Sequence, residues 1–411
     1  MHVLHLSATG ALGGAERSLL DILASIRQAK PDWRMSVVSG ADGPLIGAVN
    51  ALGAEARVLP YGAGLARLGE TGSSGARFGA AALAGRLAWS AGPAMQYVVE
   101  LGRLVDELQP DVVHTHGLKM HILAAWAAGS GRVARCRPRV VWHVHDYVGT
   151  RPATARFLRW SVRHCDAIVA NSASVAADVH AALRPAVPVV AVHNAVDLQR
   201  FSPSGARLDL DRLAGLPPAP DGTVRIGLVG TFGRWKGHST FLDAVARLGE
   251  TPSVRAYVIG GALYHTAGSQ YSVEELRAHA DKMGLEGRIG FTGFVEAIDE
   301  AIRALDVVVH ASTAPEPFGL VIAEAMACGR AVIASDAGGA REIFTRDTDA
   351  LAHPPGDSEA LAACIARLAC DRELRDQLGI AARQTAERRF NRRRLASDLA
   401  PVYLAPLRAA S

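Results

Sequence analysis

Two glutamates, Glu316 and Glu324, have the types and spacing best suited to chemistry. Glu316 lies in a loop with two prolines, and Glu324 lies inside the helix predicted to follow, between two alanines. A carboxylate in such an apolar helix is costly unless it is paired, so we expect a partner for Glu324. The vicinal hydroxyls of a ribose would suit it, and the helix start behind Glu316 would suit a phosphate or a sugar. From spacing alone, an ion pair at Glu324 with a solvated Glu316 is an equally good interpretation.

Two short apolar runs are expected to position these glutamates. Val307–Val309 and Ala331–Ala334 are bounded by turn residues and predict buried parallel strands. Residues 319–328 between them are good helix formers, and Gly329 is suited to end the helix in a left-handed conformation. The stretch from His310 to Gly339 is therefore predicted to be one βαβ crossover, with both loops at the same end of a sheet.

A pair of cations, Arg234 and Lys236, follows another predicted strand, Val224–Gly230, and precedes a predicted helix. Positive charge together with backbone N–H groups at a helix start would form a clamp for a diphosphate. A solvated turn is the alternative that such a short motif favours on its own.

A glycine-rich turn follows the first strand and includes Gly13 and Gly14, just before a helix predicted from about Ala15. Backbone N–H groups at such a helix start are free to bind a ligand. The turn lacks the G-x-G-x-x-G pattern of a dinucleotide site. A plain tight turn is the alternative.

Histidines occur in two pairs at the ends of predicted strands, His114 with His116 and His143 with His145. Residues two apart share one face of a strand, so either pair could offer two imidazoles to a metal. No third histidine or carboxylate follows at a firm ligand spacing, so the sequence disfavours a metal site. Two Asp-x-Asp tripeptides, at 209–211 and 347–349, are interpreted as chance matches to a metal motif.

These motifs together resemble the large retaining glycosyltransferase family called family 4, the group 1 glycosyltransferases. Glu316 is followed by Pro-Phe-Gly and Glu324 by Ala-Met-Ala-Cys-Gly. The other matching features are Gly-Gly-Ala-Glu at 13–16, His116-Gly117, His145-Asp146 and Lys236-Gly237. The resemblance implies the α/β fold named GT-B, in which two Rossmann-like doubly wound domains face each other across a cleft and a C-terminal helix crosses back to the N-terminal domain.

The resemblance also implies roles for individual residues. The residues expected to be catalytic are His145, Glu316, Lys236 and Arg234. The residues expected to contact the donor are Gly14, Gly230, Phe294, Val295, Phe318, Gly319, Leu320, Val321 and Glu324. The residues expected on the acceptor side are Gly13, Glu16, His116 and Asp146.

The chain departs from the family pattern at two positions. Thr231 directly follows Gly230, where the family usually has an arginine, and Arg234 comes three positions later. Ala195 stands where glycine is usual, in an Asn-Ala-Val-Asp sequence. Arg234 is therefore the candidate to replace the missing guanidinium.

Alternation of strands and helices in both halves predicts two doubly wound domains. We expect an acceptor-side Rossmann-like domain at 1–200, a linker at 201–223 and a nucleotide-sugar-binding Rossmann-like domain at 224–390. Residues 391–411 are expected to form a helix that packs back on the first domain.

Composition bounds the class of protein and its partners. The 411 residues, 49% hydrophobic and 20% charged, suit a globular chain of two domains. Residues 1–200 hold 20 Lys/Arg and 14 Asp/Glu, a net charge of +6 against −2 for the rest. This basic half could contact an anionic membrane or acceptor, although scattered surface charge is the simpler interpretation. Scattered cysteines and the lack of a signal peptide or an 18-residue apolar stretch predict a cytoplasmic protein, at most peripheral on the inner face of the membrane.

The predicted function is transfer of a sugar, with retention and without a metal or other cofactor, from a nucleotide-diphosphate sugar to a saccharide, lipid-linked or small-molecule acceptor. No nucleic acid partner is expected. Catalysis would rest on positioning and on stabilising the leaving diphosphate. The alternatives are a GT-B nucleotide-sugar epimerase or phosphorylase, and a non-catalytic protein that binds a sugar nucleotide or a membrane surface.

Overall fold

The computed structural model describes residues 1–62, 80–129, 137–249, 253–262 and 269–406, except for the side chains of 80–91, 128 and 129. The chain divides into two compact units. Unit 1 contains Met1–Asn194 and Arg392–Ser411, and unit 2 contains Ala195–Asn391.

Unit 1 is built on a seven-stranded parallel sheet with helices between successive strands. Its strands are β1 His2–Ser7, β2 Arg34–Ser39, β3 Glu55–Val58, β4 Val112–His116, β5 Arg139–Val144, β6 Ala167–Ala170 and β7 Val189–Ala191. The helices among its described residues before the C-terminal segment are α1 Gly14–Ala29, α2 Pro44–Ala51, α3 Ala80–Leu108, α4 Leu118–Gly129, α5 Pro152–Ser161 and α6 Ala173–Leu183. The strand order β3-β2-β1-β4-β5-β6-β7 reverses the winding between β1 and β4. In open α/β sheets, ligands bind beyond the carboxyl ends of the strands at such a reversal.

The central strands of unit 1 are buried because helices cover both faces of the sheet, as parallel sheets require. All six residues of β1 are buried, and Leu4 and Leu6 pack in one apolar cluster with Leu101 of α3. Trp142 of β5 packs in a second cluster with Leu158 of α5.

Unit 2 has the same plan with six parallel strands in the order β10-β9-β8-β11-β12-β13. Its strands are β8 Val224–Val229, β9 Val254–Ile259, β10 Ile289–Gly293, β11 Val307–His310, β12 Ala331–Ser335 and β13 Leu351–His353. Its helices are α7 Leu210–Leu213, α8 His238–Ala246, α9 Val273–Lys282, α10 Ile298–Arg303, α11 Leu320–Ala327, α12 Ser358–Cys370 and α13 Arg372–Arg389. The winding reverses between β8 and β11, so the loops after these two strands form the expected ligand-binding end. Two Rossmann-like parallel sheets confirm the predicted fold class.

The predicted βαβ crossover is confirmed. Strands β11 and β12 pair in parallel, with His310 opposite Ala334. Helix α11 connects them and ends at Ala327, and Gly329 follows with a φ of 64°. This left-handed backbone explains why glycine stands there.

The segment 201–223, predicted to be a linker, is packed into unit 2. Phe201 lies in its apolar core, and Asp211 is 6% exposed. The Asp211 carboxylate accepts hydrogen bonds from the Tyr257 hydroxyl at 2.6 Å and the Arg255 guanidinium at 2.9 Å. Burial alone would raise the pKa of Asp211, but these partners and the Ala219 amide lower it to about 2. A buried ionised carboxylate thus anchors the segment, and its polar, proline-containing sequence does not reveal this.

The C-terminal segment belongs to unit 1. A turn of 3₁₀ helix, Arg392–Arg394, leads into α14, Leu395–Leu404. The Ser25 hydroxyl of α1 accepts from the Ala396 amide at 2.9 Å, and the Tyr403 hydroxyl lies 2.7 Å from His114 Nδ1. These buried contacts explain why the last helix packs on α1 and the end of β4.

Among the described residues, we find no helix that is both long enough and apolar enough to cross a lipid bilayer.

Candidate functional site

Two loops meet at the winding reversal of unit 2, one after β8 and one after β11. The Trp235 carbonyl accepts a hydrogen bond from the Thr313 amide at 2.8 Å. Gly237 has a φ of 77°, and a Cβ on it would lie 1.8 Å from the carbonyl oxygen of Ala311. The close approach of these loops therefore requires glycine directly after Lys236, which is the physical reason for the Lys-Gly pair.

Gly237→Ala is expected to lower the free energy of unfolding by about 2–3 kcal/mol, because it combines left-handed strain with a backbone clash. Urea denaturation of the two proteins measures this difference. Gly222→Ala is the matched control, since Gly222 also has a positive φ but a Cβ there meets nothing within 4 Å. Equal destabilisation by both substitutions would show that the approach to Ala311 is unimportant.

Glu316 and Lys236 form a partly buried ion pair between the two loops. Glu316 is 7% exposed, and its Oε1 lies 2.5 Å from Lys236 Nζ. Its Oε2 accepts from the Ser312 hydroxyl at 2.7 Å and lies 2.5 Å from His310 Nε2. The solvated interpretation of Glu316 is therefore wrong, because three donors surround its carboxylate inside the fold.

The geometry around His310 fixes how its ring is used. His310 Nδ1 accepts from the Ser335 amide at 3.3 Å, so the proton of a neutral ring lies on Nε2 and is donated to Glu316. The Ser335 hydroxyl in turn donates to the Ser312 carbonyl at 2.7 Å. His310 and Ser312 were not predicted as site residues. Their i,i+2 spacing at the end of β11 is a weak signal in the sequence, because a single histidine at a strand end is usually structural.

Electrostatics keep Glu316 ionised. Burial alone would raise the pKa of the Glu316 carboxyl, but the Lys236 ammonium and the His310 ring outweigh it and hold this pKa well below its usual range. The site therefore presents a fixed negative group that orients a partly buried ammonium, whose side chain is 20% exposed.

Helix α11 begins directly behind this ion pair. Gly319 caps it with a φ of 101°, and Phe318 is buried edge-on against Phe390 with ring centroids 5.9 Å apart. The first backbone N–H groups of a helix, here from Leu320 and Val321, lack partners within the helix and are suited to an anionic or sugar ligand.

Glu324 lies one turn further along α11 and is half-buried, whereas the sequence predicts burial. The difference arises because Ile322, Ala323, Ala325 and Met326 form the inward face of the helix. Glu324 thus escapes the full cost of burying a carboxylate and remains reachable by a ligand.

The other predicted donor contacts lie at the carboxyl ends of β8 and β10. A Cβ on Gly230 would meet nothing within 4 Å, so a ligand could approach the backbone closely there. Phe294 is 69% exposed and Val295 is half-buried, both directly after β10.

Arg234 is exposed and is engaged away from the Glu316 carboxylate. Its guanidinium pairs with Glu275 at 2.8 Å and lies over the Tyr271 ring, 4.3 Å from its centroid. The structure therefore brings Lys236 to Glu316, while Arg234 contacts the start of α9. Whether Arg234 replaces the usual arginine at Thr231 stays a prediction.

In unit 1, the predicted acceptor-side glutamate caps its own helix. Glu16 is 8% exposed and accepts from the Ser7 hydroxyl at 3.3 Å and the Gly13 amide at 3.2 Å. Burial raises the pKa of Glu16 despite these bonds. Gly14 is exposed at the first position of α1.

Five histidines cluster at the carboxyl ends of β1, β4 and β5. They are His5, His114, His116, His143 and His145. His116 Nε2 lies 3.2 Å from His5 Nδ1, and His116 Nδ1 lies 3.3 Å from His145 Nε2. Burial lowers the pKa of His5 to about 3 and of His145 to about 4. These rings are therefore neutral near pH 7, and Asp146 beside them is exposed and 3.7 Å from Arg151.

Family models match nearly the whole chain. The model described as "Glycosyltransferase Family 4" matches residues 12–200, and "Glycosyl transferases group 1" matches residues 217–385. The chain is 31% identical over 247 residues to a lipopolysaccharide core biosynthesis mannosyltransferase of Rhizobium leguminosarum bv. viciae. This match covers 60% of the chain and 66% of the relative, just under two thirds of its length. A D-inositol 3-phosphate glycosyltransferase of Xylanimonas cellulosilytica is 34% identical over 51% of the chain and 49% of its own.

Solved structures match the chain over nearly its full length. Anabaena HepE in complex with UDP is 25% identical, with a TM-score of 0.77 over 98% of this chain and 99% of that one. The HepE complex with UDP-glucose is 26% identical, with a TM-score of 0.76 over the same shares.

Proposed function

This chain belongs to the group 1, family 4 glycosyltransferases and has their GT-B fold, and from that premise we propose that it is a retaining sugar transferase. The donor is a nucleotide-diphosphate sugar, and the acceptor is a saccharide, a lipid-linked molecule or a small molecule. The observation that carries the proposal is the ion pair between partly buried Lys236 and buried, ionised Glu316 at the winding reversal of unit 2. A diphosphate needs a cation there when its bond to the sugar breaks.

Lys236 neutralises charge that develops on the diphosphate, and Glu316 positions its ammonium. His310, Ser312 and Lys236 together hold the Glu316 carboxylate in one position. The second proposed role of this carboxylate is to bind the sugar. The start of α11 supplies N–H groups from Leu320 and Val321, and Glu324 binds the ribose hydroxyls. This arrangement needs no metal ion, since cations and helix dipoles supply the positive charge.

Further roles complete the proposal. Gly230 lets the diphosphate approach the backbone, Phe294 and Val295 hold the base, and Phe318 and Gly319 shape the sugar site. Arg234 is the second candidate for the diphosphate. In unit 1, Gly14 and His145 act on the donor sugar, and Gly13, Glu16, His116 and Asp146 serve the acceptor. Retention follows from attack on the same face that the diphosphate leaves.

A thermal-shift screen against nucleotide sugars, led by UDP-sugars because the HepE complexes contain UDP, is the first test. Release of nucleoside diphosphate is then measured with and without saccharide acceptors such as lipopolysaccharide core fragments. Acceptor-dependent release with product glycoside of unchanged anomeric configuration supports transfer. Turnover of the donor alone, or with orthophosphate, favours an epimerase or phosphorylase, and binding without turnover on any acceptor favours a non-catalytic protein.

We further propose a cytoplasmic location in which unit 1 contacts an anionic membrane through the outer face of α5. Phe157 and Trp160 are 39% and 50% exposed there, and Arg156, Arg159 and Arg163 are exposed beside them. The Arg163 guanidinium lies 4.1 Å from the Trp160 ring centroid. Aromatic rings with basic neighbours on one helix face suit the headgroup region of an anionic bilayer.

The double substitution of Phe157 and Trp160 by serine is expected to weaken binding to vesicles of phosphatidylglycerol and phosphatidylethanolamine about thirtyfold, because each ring loses roughly 1 kcal/mol of apolar burial. Vesicle sedimentation measures it. Ile380→Ser, at a 62% exposed position of unit 2, is the matched control. Wild-type protein that stays in the supernatant at low salt would contradict the proposed membrane contact and would leave the proposed transferase activity unaffected.

A further inference from the structure

The histidine cluster of unit 1 contains more imidazole nitrogens than its hydrogen bonds use. We propose that His116, His143 and His145 form a three-histidine site for a divalent transition metal of the zinc class. The inference uses two residues, His116 and His145, that the proposed function places near the substrates, and its test reads metal binding and not sugar transfer.

The sheet itself brings the three rings together. His116 ends β4 and is directly opposite His143 in the parallel ladder with β5. His143 and His145 are two apart, and their rings stack with centroids 4.1 Å apart. One ring nitrogen from each of the three histidines lies within 4.8 Å of the others. The sequence could not predict this set, because the third ligand comes from a different strand.

The spacing of the ring nitrogens fits a shared ion. His116 Nδ1 and His145 Nε2 are 3.3 Å apart. Zinc at about 2.0–2.1 Å from each nitrogen in tetrahedral geometry would separate two ligand nitrogens by about 3.3–3.4 Å. Two of the ligands are therefore already at coordination distance from each other.

Unpartnered nitrogens point the same way. Both ring nitrogens of His143, which is 2% exposed, lack a hydrogen-bond partner among the described residues. A buried polar atom without a partner is costly, so each nitrogen that binds a metal removes such a cost. His145 is only partly buried, which leaves a route for the ion and room for a water or anion as fourth ligand.

His5 is positioned to form a hydrogen bond that orients the metal ligand His116 without binding the metal itself. Its Nδ1 lies 3.2 Å from His116 Nε2, so His116 can donate its Nε2 proton to His5 while its Nδ1 faces the metal. Metal-binding histidines commonly use their other nitrogen in this way. Imidazole-only sites select zinc, cobalt, nickel or copper and reject magnesium and calcium, which prefer oxygen.

The test uses full-length, tag-free protein stripped with chelator and titrated with Co²⁺, whose visible absorption reports tetrahedral coordination. We expect one Co²⁺ per chain with tetrahedral bands, displaced by one equivalent of Zn²⁺ and not by Mg²⁺. His145→Gln should abolish the bands. Because His145 is only partly buried, we expect this variant to fold. His5→Phe should weaken Zn²⁺ binding about 10–100-fold, as loss of an outer partner does.

His180→Gln is the matched control, because His180 is an exposed histidine of α6 in the same unit. It should leave the bands and the stoichiometry unchanged. The proposal is overturned if wild-type protein shows only octahedral Co²⁺, or if His145→Gln, shown to be folded by circular dichroism, binds Co²⁺ as wild type does. The cluster would then be a hydrogen-bonded ladder only.

Discussion

Replacing Lys236 with methionine is expected to lower kcat/KM for sugar transfer by about a thousandfold, because the variant loses the cation that faces the departing diphosphate. Methionine keeps most of the length and apolar volume of the lysine stem, so the loss concerns the charge. Steady-state kinetics with the donor found by thermal shift measures it. A fall of less than about tenfold would remove Lys236 from the reaction.

A loss of activity in Lys236→Met could also arise from a loss of stability, and the ion pair with Glu316 makes this alternative testable. Lys236→Met leaves the Glu316 carboxylate buried without its ammonium partner, and breaking such a pair costs about 3–5 kcal/mol of stability. The double variant Lys236→Met/Glu316→Gln carries neither charge and should regain most of that stability. Its activity should stay low. Activity that returns together with stability would show that Lys236 serves only the fold.

Arg234 provides the comparison within the same loop. Its guanidinium is already paired with Glu275 and lies over Tyr271, so Arg234→Met should cost less than about tenfold if these contacts persist when the donor binds. A loss equal to that of Lys236→Met would show that the guanidinium leaves Glu275 and takes the place of the arginine missing at Thr231. Arg247→Met, at a position bonded to Ser358, serves as the neutral control.

The pieces of the unit 2 site that could be predicted are those encoded locally. Apolar runs bounded by glycine and proline predicted β11, α11 and β12, and the resemblance singled out Lys236 and Glu316. The buried environment of Glu316 was not predictable, because His310 lies six positions earlier and meets it only when the loop folds back. Glu324 was expected to be buried because its neighbours are alanines, whereas helix rotation decides its exposure.

The histidines of unit 1 show a second limit. The i,i+2 pairs were visible in the sequence, but their chemistry depends on the order of strands in the sheet. Because β1 lies between β2 and β4, His5 is placed beside His116, more than one hundred positions away. The packing of residues 201–223 into unit 2 was not predictable for a related reason. The partners of Asp211 are Arg255 and Tyr257 on β9, and a polar sequence carries no sign of them.

Replacing Glu316 with glutamine should lower kcat about a hundredfold with a smaller change in KM, because the amide keeps the volume but presents a donor group where a second acceptor oxygen is needed. In the variant, the NH₂ group of the new glutamine faces one of the donors of His310, Ser312 and Lys236, and two donors cannot form a hydrogen bond with each other. Glutamine is a sharper test than alanine, which would also open a cavity. Ser312→Ala, which removes one donor and leaves the carboxylate ionised, is the matched control and should cost less than about tenfold.

The same variant has a distinct signature in stability against pH. Lys236 and His310 hold the pKa of Glu316 in the folded protein below its unfolded value of about 4.3. Its stabilisation is therefore complete above that unfolded pKa and is lost as the pH falls toward the folded one. Urea unfolding should give a difference between wild type and Glu316→Gln that is constant from pH 7 to about 5 and shrinks below about pH 4. A difference that stays constant down to pH 3 would mean that Glu316 stabilises the fold through packing and not through its charge.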